Sequence, residues 1–157
     1  MLSKYLKILS ESLDRKTDIL ESIESKSREQ SELIRDMAQL DEIDANMDEK
    51  DALITELIKL DEGFEALYDN IRAELNEHKD EHKDEITGIQ DKIRRVMELS
   101  TSIEATEARN KAEMEKRFSF EKKNIQDQRR ASSAAYDYYK VSNKLNAVTP
   151  QFMDRKK

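Results

Sequence analysis

The string His78-Lys-Asp-Glu-His82 holds the residue types of a zinc peptidase. Two imidazoles four positions apart on a helix can reach one metal ion, and a neighbouring glutamate can act as general base. Its setting argues against that chemistry. It lies inside Glu77-His-Lys-Asp-Glu-His-Lys-Asp-Glu85, where Glu-His-Lys-Asp occurs twice in succession without a single apolar residue to wall a cleft. A chance match in a charged run explains the string better, so neither histidine is expected to bind a metal or catalyse.

Other strings fail for equally specific reasons. Asp44-x-Asn46-x-Asp48 begins like a calcium loop, but Glu49 stands where the tight turn needs Gly, and Thr55 where the bidentate ligand should be Glu. Helix capping accounts for these residues more simply. Arg94-Arg95 and Arg129-Arg130 could contact phosphates, yet the chain is acidic overall and carries no nucleic-acid-binding module. No serine sits on a glycine elbow, and with no cysteine there is no thiol nucleophile. The chain is therefore expected to be no enzyme, to use no cofactor and to bind no nucleic acid.

The aromatic residues of the C-terminal third are harder to set aside. Phe118 falls on an apolar track, whereas Phe120, two residues on, should point elsewhere. Tyr136, Tyr138 and Tyr139 cannot all face one seam, since adjacent helix positions diverge by about 100°. With Asn110, Met114 and Ile125, these residues form the expected partner-binding surface, because aromatics beside small residues suit a partner helix.

The scaffold for such a surface follows from composition and periodicity. Of 157 residues, 40% are charged, the net charge is −7, and there are only two glycines and one proline. Sheet folds need more turn residues than that. No run of 18 apolar residues and no basic-then-apolar leader occur, so a soluble intracellular chain without membrane insertion is expected. Leu, Ile, Val and Phe number 34, close to the level at which disorder competes. Their spacing decides for helices. Leu2, Leu6, Leu9, Leu13, Leu20, Ile23, Ile34 and Met37 keep one track of three and four steps, with Lys16, Ser27 and Gln30 in the gaps.

The pattern predicts an all-α domain over 1–143, with helices at about 2–39, 48–76 and 86–140. The first two should form an antiparallel hairpin, with the third long helix along it in coiled-coil-like packing. Asp44, Asn46 and Asp48 are the expected caps of the second helix, and a kink is expected at 77–85, although that helix could also run unbroken to Leu99. Gly63 costs about 1 kcal/mol against Ala within a helix, which a close helix crossing would explain. Residues 144–157 read as a flexible basic tail. The third track crosses Ser100, Glu107 and Asn110, so its seam turns polar after Val96 and looks unfinished. Charge is segregated too: residues 40–85 carry a net −12, and residues 109–157 a net +7.

Several segments resemble the FlgN/FliT-type flagellar export chaperones of bacteria. They are Leu6-x-Ile8-Leu9-x-x-x-Leu13, Asp48-Glu-Lys-Asp-Ala-Leu-Ile-x-x-Leu57, Ile103-Glu-Ala-Thr-Glu-Ala-Arg-Asn110 and Ala134-Ala-Tyr136. Glu107 stands where the family's third-helix seam usually has Asn. The resemblance implies a cytoplasmic protein that holds hook-associated junction or cap subunits and delivers them to the export gate. A homodimer is compatible with it. A structural coiled-coil adaptor is the other reading.

Overall fold

The computed structural model describes residues 2–119. They form α1 (Leu2–Arg35), α2 (Leu40–Glu77), a single 3-10 turn at Lys79–His82, and α3 (Lys83–Phe118). The fold of the described residues is all-helical. None of these helices is long and apolar enough to cross a membrane.

Each helix forms because its sequence buries one narrow stripe. On α1 the buried positions are Leu2, Leu6, Leu9, Leu13, Lys16, Leu20, Ile23, Ser27, Gln30 and Ile34, alternately four and three residues apart. The same stepping runs through Ile43, Met47, Lys50, Ile54, Leu57 and Asp61 on α2, and through Ile89, Ile93, Val96, Ser100, Ile103, Glu107, Asn110 and Met114 on α3.

Helix α1 lies against both others, while the backbones of α2 and α3 stay apart and meet through side chains. The bonded pairs give the directions. Between α1 and α2, Lys16 meets Asp61, Lys26 meets Glu49, and Gln30 meets Lys50, so the two run antiparallel. Between α1 and α3, Ser3 meets Glu85, Asp14 meets Lys92, Glu24 meets Ser102, and Ser31 meets Asn110. Those partners are 78 to 82 residues apart throughout, so α1 and α3 run parallel.

The first reversal lies earlier than the caps suggested. Helix α1 ends at Arg35 rather than near 39, and α2 starts at Leu40 rather than 48. Asp44, Asn46 and Asp48 are interior residues of α2, whose N-cap is Gln39. Burial of Ile43 and Met47 keeps the stripe going, and it outweighs the capping preference of their neighbours. The turn is closed by backbone bonds from Ala38 N to Leu33 O (2.9 Å) and Met37 N to Ile34 O (3.2 Å). This is a Schellman closure with Met37 at φ 55°, where glycine is the usual residue. Gln39 makes no side-chain cap; Asp41 and Glu42 put negative charge in the first turn of α2 instead.

The second reversal falls in the repeated charged run, as the absence of apolar residues suggested. His78 (φ −122°, ψ 26°) and His82 (φ −125°, ψ 29°) both leave helical geometry, so α2 does not continue to Leu99. Thr101 lies inside α3, where its hydroxyl donates to Met97 O at 2.9 Å. Helix α3 begins at Lys83 rather than 86 and is described to Phe118. The expected continuation to 140 and the tail at 144–157 lie outside the described residues.

Gly63 does not mark a close crossing, because a Cβ built there meets nothing within 4 Å. Replacing Gly63 with Ala should therefore stabilise the protein by about 0.5–1 kcal/mol. Met37→Gly should also stabilise it, by about 1 kcal/mol, since the side chain is 66% exposed and gives up little burial. Urea unfolding of the two variants checks both signs, and a loss of stability in either would contradict the local geometry described.

Candidate partner-binding surface

Three of the expected partner-binding residues turn out to belong to the interior. Asn110, Met114 and Phe118 are all buried. Met114 and Phe118 cluster with Ile34, Ile43 and Met47, which caps the end of the bundle beside the α1–α2 turn. They offer no free surface in this arrangement. Phe120, Ile125, Tyr136, Tyr138 and Tyr139 lie outside the described residues.

The polar seam of α3 is likewise closed within the chain. Lys50 Nζ donates to Glu107 Oε1 and Oε2 at 2.7 and 2.9 Å, and also to Gln30 Oε1. All three ammonium protons thus have acceptors. Ser27 Oγ donates to Glu107 Oε1. Asn110 Nδ2 donates to Ser27 O at 2.9 Å, and Ser31 Oγ to Asn110 Oδ1 at 2.5 Å. Lys50, Glu107, Ser27, Gln30 and Asn110 are all buried. A second pair, Lys16 with Asp61 at 2.7 Å, joins α1 to α2 within the stretch of the long apolar cluster. The polarity after Val96 is therefore matched by polar residues on α1 and α2.

The sequence did hold the signal for this pairing. Lys16, Ser27 and Gln30 occupy seam positions of α1, and Glu107 and Asn110 those of α3. What was missing was the α2 track through Lys50 and Asp61, which supplies the opposite charges.

Around this network, burial pushes the Asp51 carboxyl above its ordinary range. Lys50 opposes that shift, and Asp48 and Glu107 add to it. At the surface, the hydrogen bond that Lys26 donates to Glu49 raises its ammonium above the ordinary range.

The two histidines are engaged with neighbouring acids. His82 Nδ1 lies 3.0 Å from Glu85 Oε1, and His78 Nδ1 lies 3.4 Å from Glu81 Oε2. Among the described residues, no group of three or more His, Cys, Asp or Glu side chains could hold a metal ion.

An open apolar surface occurs elsewhere, along the junction of α1 and α2. Ile8, Leu60, Phe64 and Leu67 line a trough of about 310 Å³, with Gly63 beside them and Glu11, Arg15 and Lys59 among its polar lining. Ile8 is 42% exposed, and Phe64 and Leu67 pack against the core with one side only. No periodic signal marked this trough, because its residues flank the seam rather than lie on it.

Two predictions follow from the polar layer. Glu107→Leu should cost about 3–5 kcal/mol, because it leaves the buried Lys50 ammonium without its counter-charge. Joining it with Lys50→Met should recover most of that loss. Chemical denaturation of the two variants checks this, and a small loss in the single variant would mean that Lys50 escapes to solvent. Asp51→Asn should stabilise the protein at pH 7. The stability that Asp51 gains by protonation is complete below about pH 4 and is lost as the pH rises through its raised folded value. The advantage of Asn should therefore vanish near pH 3, and one that persists there would assign it another cause.

Comparison with protein-family models, with curated proteins and with solved structures finds no match to this chain.

Proposed function

We propose that this chain is a non-enzymatic helical chaperone of the flagellar export type. It holds hook-associated junction or cap subunits in the cytoplasm and passes them to the export gate. The observation that carries this reading is the apolar trough between α1 and α2, which stands open beside the long apolar core. Subunits that assemble through terminal amphipathic helices need those helices covered beforehand. A trough running along two long helices suits one such helix, its apolar stripe against Ile8, Leu60 and Phe64. Charges of both signs at Glu11, Arg15 and Lys59 suit its polar flanks.

In this reading the antiparallel pairing of α1 with α2, and the three- and four-residue stepping of all three stripes, form a coiled-coil-like support. Phe120, Ile125 and the tyrosines at 136, 138 and 139 add contacts to the client or the export gate.

The burial of Asn110, Met114 and Phe118 favours a second reading, that of a structural adaptor without chaperone activity. A seam completed within the chain asks for no client.

Co-elution of the purified chain with junction and cap subunits from the same organism separates the two readings. A chaperone should bind one subunit in a defined ratio. Ile8→Glu should weaken that binding by about tenfold or more, and should change stability by only about 0.5 kcal/mol. Absence of binding to every subunit would leave the adaptor, and undiminished binding by the variant would remove the trough from the account.

A further inference from the structure

The buried polar layer divides the apolar interior into two unequal parts. On one side lies a long cluster reaching from Leu2, Leu75 and Ile86 to Ile23, Ile54 and Ile103. On the other, among the described residues, lie Ile34, Ile43, Met47, Met114 and Phe118. Ser27, Gln30, Lys50, Glu107 and Asn110 separate them.

Cooperative unfolding depends on continuous packing, and units with few buried apolar contacts open below the global free energy. The small cluster also borders the more strained of the two reversals. Met37 there holds a left-handed conformation that favours glycine. Asn46 Oδ1 and two guanidinium nitrogens of Arg117 are buried with no hydrogen-bond partner among the described residues.

We propose that this end opens as a unit while the rest of the bundle stays folded. The unit comprises α1 from Ser31, α2 as far as Met47, and α3 from Asn110 to Phe118, and the Lys50–Glu107 layer is its boundary. Opening uncovers five apolar side chains, two of them methionines, which adapt readily to irregular surfaces. The inference rests on the division of the core alone and holds whatever partner the trough takes.

Hydrogen exchange of the full chain, followed at urea concentrations below the unfolding midpoint, tests it. Amides at 32–47 and 111–118 should exchange about tenfold or more faster than those at 6–23, 57–75 and 86–103. They should share one urea slope, smaller than that of global unfolding. In the Lys50→Met/Glu107→Leu variant, which joins the two clusters, this difference should shrink to about threefold or less. Equal protection at both ends of the unaltered chain would overturn the proposal. So would fast exchange without a common slope, which is fraying, and an unaltered far end in the double variant.

Discussion

Lys50 and Glu107 meet at the one level where all three helices must agree in register. A buried ammonium and a buried carboxylate each lose hydration worth several kcal/mol, and only a close partner with further hydrogen bonds offsets that loss. Here the partners come from three helices: Lys50 from α2, Glu107 from α3, and Ser27 and Gln30 from α1. Sliding any helix by one turn would separate the charges and leave both in an apolar surround. Apolar layers are far more tolerant, since one leucine replaces another at little cost. The hydrophobic stripe makes helices associate, and the polar layer selects which association is populated.

The same constraint explains why α1 is the central helix. Its stripe alternates four and three over its whole length, and its two flanks carry different side chains. Ser10, Glu24 and Ser31 face α3, where they bond Lys92, Ser102 and Asn110. On the other flank Lys26 meets Glu49 of α2. The flank toward α2 also carries Ile8 and borders the trough. The surface that supports the functional reading therefore depends on the register that the polar layer sets.

Much of the fold was legible in the sequence, and the failures have physical causes. The stripe of α1 was explicit because no Gly or Pro interrupts it and ten buried positions keep one register. The break at 78–82 was legible because the nine residues 77–85 offer no apolar side chain to bury. The first turn was misplaced because Asp44, Asn46 and Asp48 are good caps, and cap preference, worth about 1 kcal/mol, loses to the burial of Ile43 and Met47. The true turn uses Met37 in a conformation its side chain disfavours, so composition gave no hint of it. Asn110, Met114 and Phe118 were read as surface for a related reason. Polar residues on a seam indicate an unfinished interface only if no polar residue answers them, and Lys50 answers Glu107 from 57 positions away. Such a match appears only when the three stripes are aligned against one another.

The central claim is that α3 folds back to lie parallel to α1, bringing Glu107 to Lys50 and Ser27. Because the chain has no cysteine, two spin labels can be placed at will. Labels at Glu24→Cys and Ser102→Cys, whose native side chains are 3.2 Å apart, report directly on this packing. The account predicts a single label separation within about 20 Å, one interhelical spacing plus the reach of the two label arms. A separation of roughly 75 Å, as a helix running straight on through His78 would give at 1.5 Å per residue, would contradict it.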